Sequence, residues 1–397
     1  MLYENYQKYK KSYIIVSTFS YTIFFTYYLI LRDAGYKFPY GYFLNNPEQR
    51  FNDLYLQLNK FDLFNPYSSM LPSENFPYFP SSIIFFNLFK FVNPNYYSIV
   101  FIIFSLIVLF LVISSSFNKK NFKENIFIFF SILFSPPYIY ALDRGNTDAF
   151  LIPILIYCIL NNKNNFKNTF LWIFIASFKP QYLVGLLFKK NIYSKKIFEI
   201  SSYFLIFNIS YLYIFTNNDF HDLITSTLLV SDWVNIGLKT SIFPINDFLG
   251  IYLRNSSLYP LILMIFDFIH IDLNILSENY FVFALNIFKV VLNLIILFLI
   301  LKFDKQNLKV VLFVISFLSI TFWSGTYRSI IFALLIFYFI SNNLSIRILN
   351  ISLLYMFQFL FIGIYPFSFE FAIVFALYKF FLILGLLFSI QKEKMLN

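Results

Sequence analysis

Apolar runs of about twenty residues recur along most of this chain, separated by short turns rich in Lys and Asn. One such run, coiled as a helix, crosses the roughly 30 Å hydrocarbon core of a bilayer. These runs cannot all be hidden inside a water-soluble particle of 397 residues, because 59% of the residues are hydrophobic and only 13% are charged. An ordinary soluble domain has about 25% charged residues. In lipid, every backbone N–H and C=O must find a partner within the protein, which leaves α-helices to do the spanning. The expectation is an all-α, polytopic integral membrane protein, a single membrane domain over 1–397.

The net charge of +10 raises the question of nucleic acid. The basic residues instead gather in the short turns, as in FNKKNFKEN at 117–125, and this is the pattern that orients helices with their positive turns in the cytoplasm. No basic block interleaved with stacking aromatics stands in a water-compatible segment, so nucleic-acid binding is excluded from the expectation. Cys158 is the one cysteine, and His221 and His270 lie far apart without ligand spacing. Neither a disulfide within the chain nor a metal site is expected. No glycine-rich phosphate loop is present, and no cofactor is expected.

Taken in order, an uncleaved first helix over 13–31 follows Lys8, Lys10 and Lys11, which keep the N-terminus inside. The stretch 32–80 is then the first extracytoplasmic loop, holding Asp33, Glu48, Asp53, Asp62 and Glu74 among Tyr and Phe. The segment 81–92 is too short to span. Helices are expected at 96–117, at 126–141 with Pro136-Pro137 inside it, and at 149–160. The stretch 169–190 is basic at both ends and carries Lys179-Pro180-Gln181 in its middle, which predicts a hairpin of two short helices broken at Pro180. A broken helix at membrane depth must line protein or a wet cavity, so Lys179 is a candidate functional residue. A helix at 197–215 leads to a second extracytoplasmic region, 216–257; 258–271 is interrupted by Asp267. Further helices at 281–301, 310–323, 330–341, 347–365 and 371–390 bring the count to about twelve crossings, with both termini cytoplasmic.

This topology sets Asp53, Asp143, Arg144, Asp148, Lys179 and Arg328 at the outer side. Charges beside lipid cost several kcal/mol unless paired or hydrated, so their recurrence at outer helix ends points to a shared cavity. Each also has a plain structural reading. Asp143 and Arg144 could pair with each other. Asp148 could favour the start of the next helix. Lys179 could snorkel to the interface. Arg328 could bind lipid phosphate, and Asp53 could pair with Arg50. A cavity holding both signs of charge suits transfer chemistry involving a phosphate.

Four stretches, in order, resemble glycosyltransferase family 87, the polyprenyl-phosphomannose-dependent mannosyltransferase-like group of the GT-C class. They are FNDLYLQLNKFDLFNPY at 51–67, FPYFPSSIIFF at 76–86, DRGNTDAFLIPIL at 143–155 and SFKPQYLVGLLFKK at 177–190. The second stretch is similar to that family's Tyr-x-Pro-Pro motif, with Ser81 in place of the second proline. The likeness covers roughly residues 1–200.

The resemblance implies a GT-C-like membrane enzyme of the inner (plasma) membrane that takes a hexose, mannose in that family, from a polyprenyl-phosphate donor. The acceptor it implies is a glycan or glycolipid at the extracytoplasmic face. It also implies a general base in the first outer loop, carried here by Asp53, with Asp62, Asp143 and Asp148 as rivals. The residue chemistry is compatible: a carboxylate takes the proton of the attacking hydroxyl. Arg144, Lys179 and Arg328 can stabilise the charge that grows on the leaving phosphate. Asn146 and Gln181 can hydrogen-bond sugar hydroxyls, and Asp148 completes the substrate-binding set. Two other classes stay open at this point. A lipid-linked polysaccharide polymerase or ligase would carry its principal outer loop late in the chain. A transporter or flippase would show internal repeats and a site at the bilayer midplane.

Overall fold

The computed structural model describes residues 2–33, 51–59, 66–67, 78–89, 91–116, 122–161, 165–188, 194–226, 291, 294–295, 298, 306–319, 326–342, 344–357 and 377–389. These are mostly helical, without a β-strand among the described residues. Glu48, Arg50, Asp62 and Glu74 lie outside them, as do the second outer region beyond residue 226 and the stretch 258–271. Among the described residues, two helical stretches are long and apolar enough to cross a membrane, Pro94–Ser116 and Lys195–Phe215; a third candidate is the bent pair Phe122–Leu133 and Pro136–Arg144.

The chain divides into two compact units. The first comprises Met1–Pro47, Phe117–Asp143 and Ser241–Asn397. Its opening helix α1 runs Leu2–Asp33, so the lysine-bearing start expected to precede the helix is instead its first turns. Lys8 pairs there with Glu4 at 2.7 Å, one turn away, and this cation holds the Glu4 carboxyl below its usual value. Side chains tie α1 to its neighbours. Tyr9 bonds to Ser131, and Tyr21 donates to the Phe134 carbonyl at 2.7 Å. Asn5 donates to the Phe339 carbonyl at 3.2 Å.

The helix expected over 126–141 is two elements of this unit, bent by 66° at the prolines. Pro136 and Pro137 bring no N–H to the ladder, and their rings obstruct the preceding turn. Ordered by sequence, α2 is Asn52–Asn59, α3 Ile83–Phe89, α4 Tyr97–Ser116, α5 Phe122–Leu133, α6 Pro136–Arg144, α7 Asp148–Leu160, α8 Phe166–Phe178 and α9 Ser194–Phe215. The later described helices are α10 Gln306–Ser319, α11 Phe332–Asn342, α12 Ile346–Phe357 and α13 Leu377–Ser389. Within the first unit α11 is buried on every face from Phe332 to Ile340, and α1, α10 and α12 pack against it.

The second unit comprises Glu48–Ser116 and Arg144–Thr240. Its centre is α7, apolar all round and accordingly enclosed on all sides. Phe150 near the start of α7 meets Phe101 and Phe104 near the start of α4, so these two helices run side by side in the same direction. It also meets Phe174 and Phe178 at the end of α8, which therefore runs the opposite way. Helix α9 lies along α8, with Phe204 packed against Ile173 and Ala176. One end of the unit thus gathers the starts of α4 and α7 and the ends of α8 and α9. Lys167, Lys195 and Lys196 stand at the starts of α8 and α9, the other end.

Helix α4 shows what surrounds this unit. Phe101, Ser105, Leu109 and Val112 are buried, whereas Ile99, Ile103, Ile107 and Leu111, spaced by four, form a continuous exposed stripe. An apolar stripe of that length is unsuited to water and suited to lipid. The short segment expected not to span is the seven-residue α3, whose Phe85, Phe86 and Phe89 are buried. Burial away from lipid brings little hydrophobic gain, so close packing and buried hydrogen bonds hold such helices together.

Candidate functional site

Of the predicted site residues, Asp53, Arg144, Asn146, Asp148, Lys179 and Gln181 belong to the second unit, at the end opposite Lys167, Lys195 and Lys196. The geometry starts with Gly145, which follows α6 with φ +65°, a left-handed conformation that stops a helix without Cβ strain. A Cβ at Gly145 would lie 2.7 Å from the Leu54 Cβ and 3.2 Å from the Phe51 Cα, so the start of α2 rests directly on this glycine. Phe51 itself has φ 53°, uncommon for a non-glycine residue, and its carbonyl accepts the Tyr55 N–H at 2.9 Å as the chain turns into α2.

That close approach delivers Asp53, in the first turn of α2, to the residues flanking Gly145. Arg144 Nη2 donates to Asp53 Oδ1 at 2.9 Å, and Asn146 Nδ2 donates to Asp53 Oδ2 at 2.8 Å. The Asp53 side chain keeps 25% of its surface exposed and Arg144 keeps 19%. Asn146 Oδ1 accepts the Asp148 N–H at 3.0 Å, which satisfies one of the orphan donors at the start of α7. Both ends of the Asn146 amide are therefore engaged with the protein. Each end still has capacity for one more bond, since the amide carries two N–H donors and two oxygen lone pairs.

Asp148 is different from Asp53. Its side chain is 0% exposed and receives Lys179 Nζ at 2.5 Å, with Lys179 itself 11% exposed. Tyr182, fully buried, donates its hydroxyl to the same carboxylate oxygen. Lys179 lies at the predicted break: α8 ends at Phe178, and a 3₁₀ helix, Pro180–Phe188, begins after it. The Tyr182 N–H closes the turn on the Lys179 carbonyl at 2.9 Å. The chain then doubles back, because a Cβ on Gly185 would stand 2.9 Å from the Trp172 ring and 3.0 Å from Leu155. Gln181 is on this tip, half-buried. Arg328 is half-buried in the 3₁₀ helix Thr326–Ile331 and belongs to the first unit.

The segment YFPSS at 78–82 packs beside these groups. The Tyr78 hydroxyl lies 3.5 Å from Thr147 Oγ1, between Asn146 and Asp148 in sequence, and its ring stacks on Phe86. Tyr67 donates to the Tyr78 carbonyl at 2.7 Å. Burial pushes the Tyr67 phenol well above its ordinary value, so it remains a donor. Ser81 fixes the segment to the helices: its N–H and its Oγ both donate to Asn208 Oδ1, at 3.0 and 2.7 Å, and its Oγ also lies 2.5 Å from Ser177 Oγ.

Of the residues singled out in the sequence, the fold brings Asp53, Arg144 and Asn146 into one bonded group and Asp148 with Lys179 into another. Sequence reasoning missed Tyr182, Thr147, Tyr78 and the Ser81–Asn208–Ser177 network. Tyr182 had one usable signal, its place three residues after a lysine at a helix break. Comparison of the chain with protein-family models, with curated proteins and with solved structures finds no match.

Proposed function

We propose that this protein is an integral membrane glycosyltransferase of GT-C type, moving a hexose from a polyprenyl-phosphate donor to a glycan or glycolipid acceptor. The observation that carries the reading is the grouping, at one end of one unit, of a part-exposed carboxylate with two cations drawn from separate stretches, Asp53 with Arg144 and Lys179 with Asp148. In the reaction, the acceptor oxygen forms a bond to the anomeric carbon as the bond from that carbon to the phosphate oxygen breaks. The electron pair leaves with the polyprenyl phosphate, and the acceptor proton passes to Asp53. One displacement inverts the anomeric centre. Arg144 and Lys179 stabilise the leaving phosphate, most effectively where water is excluded.

The reading extends to about twelve crossings, both termini in the cytoplasm, and the site at the extracytoplasmic face of the inner membrane. What supports this orientation is the charge asymmetry of the second unit, with Lys167, Lys195 and Lys196 at the end away from Asp53. Gln181, on the hairpin tip beside Lys179, belongs to the sugar-binding set in this reading.

The test is turnover of a short-chain polyprenyl-phosphate sugar by the purified protein, followed as release of polyprenyl phosphate, with Asp53→Asn beside the wild type. A loss of about a hundredfold in the variant, within the usual range for a general base, is the expected result. Turnover that survives moves the base to another carboxylate. Absence of turnover, together with binding of a polyprenyl-diphosphate glycan, turns the assignment to a polysaccharide polymerase.

A further inference from the structure

Asp53 and Asp148 are held alike. Among the described residues, each carboxylate is held by a cation and a neutral donor: Arg144 with Asn146 on Asp53, Lys179 with Tyr182 on Asp148. Asn146 also joins the two groups, since its Oδ1 accepts the Asp148 N–H at 3.0 Å. A single cation balances the charge of a carboxylate. The additional neutral donor matters when the cation is removed, because a charge taken from water keeps its place only while some hydrogen bond holds it. The cations are also the chemistry a phosphate ester selects: a guanidinium fork matches two phosphate oxygens, and an ammonium serves as a point charge.

Resting on the transferase reading, we infer that Arg144 and Lys179 are stored on Asp53 and Asp148 and lent to the phosphate of the lipid donor, while Asn146 and Tyr182 hold the carboxylates in place. The exchange has an ordering consequence. Arg144 occupies Asp53 Oδ1, and the oxygen it vacates is the one opened to an acceptor hydroxyl. Donor binding therefore uncovers the base. Asn146 and Tyr182 act here as positioning residues, through the carboxylates that they hold. The exposure of the two pairs fits a division between them: Asp53 and Arg144 reach solvent, whereas Asp148 is sealed and needs its buried phenol more.

The experiment is a binding titration of the full chain in nanodiscs with a tritiated short-chain polyprenyl monophosphate, with thermal midpoints recorded for every variant. Carboxylates that compete with the phosphate for the cations make an unusual prediction: Asp53→Asn binds the ligand at least threefold more tightly than wild type, although it does not turn over. Arg144→Gln binds at least tenfold more weakly. Tyr182→Phe binds at least threefold more weakly, and this loss disappears once Asp148→Asn has removed the charge to be held. If Asp53→Asn, folded as wild type, binds equally or more weakly, the ion pairs are structural and the lending is overturned. The same result for Tyr182→Phe in both backgrounds removes its positioning role. No binding by wild type overturns the lending and the transferase reading together. Phosphatidic acid, titrated in parallel, separates the sources of the phosphate: equal affinity and equal tightening in Asp53→Asn support the lending and overturn the polyprenyl assignment.

Discussion

Leu54 leaves no room for a side chain on Gly145: the distance from its Cβ to the position a Cβ would take is 2.7 Å. The obstruction comes from the root of a side chain on α2, so relief requires moving the helix that bears Asp53. Gly145→Ala adds to this the left-handed backbone at φ +65°, which costs an alanine about 1–2 kcal/mol. The expected outcome is a lowered thermal midpoint together with a loss of transfer comparable to that of Asp53→Asn. A variant that is destabilised but retains full turnover would show that Asp53 does not depend on this seat.

Ser81 departs from the Tyr-x-Pro-Pro pattern at a place where proline could not make the bonds observed. Its N–H donates to Asn208 at 3.0 Å, and proline has no N–H. Ser81→Pro also removes the hydroxyl bonds to Asn208 and Ser177, and the buried Asn208 Oδ1 loses both of its bonds from Ser81 at about 1–3 kcal/mol, whereas Ser177 still donates to the Ile173 carbonyl. We expect a destabilised protein, with Ser81→Ala intermediate because it keeps the N–H. Thermal unfolding in detergent ranks the three.

Gly185 faces the Trp172 ring at 2.9 Å, from a Cβ position that is filled on its other side by Leu155 at 3.0 Å. Trp172 is fully buried and cannot swing away cheaply. Gly185→Val should therefore open the hairpin whose tip carries Lys179, at an overpacking cost of about 1–3 kcal/mol. Limited proteolysis and the thermal midpoint measure the opening; weakened polyprenyl-phosphate binding measures its effect on Lys179.

Orientation can be checked with one engineered thiol at a time. Cys158 is buried and is first replaced by alanine. Asn95→Cys, exposed at the start of α4, should react with an impermeant maleimide on intact cells, and Lys195→Cys only after permeabilisation. The reverse pattern would put the Asp53 end of the second unit in the cytoplasm and remove a polyprenyl-linked extracytoplasmic substrate from consideration.

Much of the helix plan is legible in the sequence because lipid enforces it. Runs expected at 96–117, 149–160 and 197–215 appear as Tyr97–Ser116, Asp148–Leu160 and Ser194–Phe215. The break at Lys179-Pro180 was legible for a covalent reason, the missing N–H of proline. The same reason explains α5 and α6, where two adjacent prolines end one helix and begin another. The candidate site was half legible. Charged residues stand out in an apolar chain, so Asp53, Arg144, Asp148 and Lys179 were found. Their pairing was not, because Arg144 could equally have served Asp143 and Asp53 could have served Arg50. Tyr182 and Tyr78 were hidden by abundance: among 31 tyrosines a phenol in an apolar run carries no signal of its own. Ser81 and Asn208 were hidden by distance, since a bond across 127 residues leaves no mark on local spacing.

The enclosure of α7 also bears on how the chain is made. Its carboxylate at Asp148 is fully buried in the finished protein, yet its cation is encoded 31 residues later. At roughly 5–20 residues per second, a ribosome that has delivered Asp148 needs about 2–6 s to deliver Lys179. Throughout that interval a helix with no face turned to lipid has neither its neighbour α8 nor its counter-ion. Until the hairpin arrives, the Asp148 carboxylate needs water or another partner, because a charge taken from water unpaired is costly. Assembly of this unit is thus timed by translation, and a stalled or slowed ribosome between the two codons would lengthen the most vulnerable moment in its biogenesis.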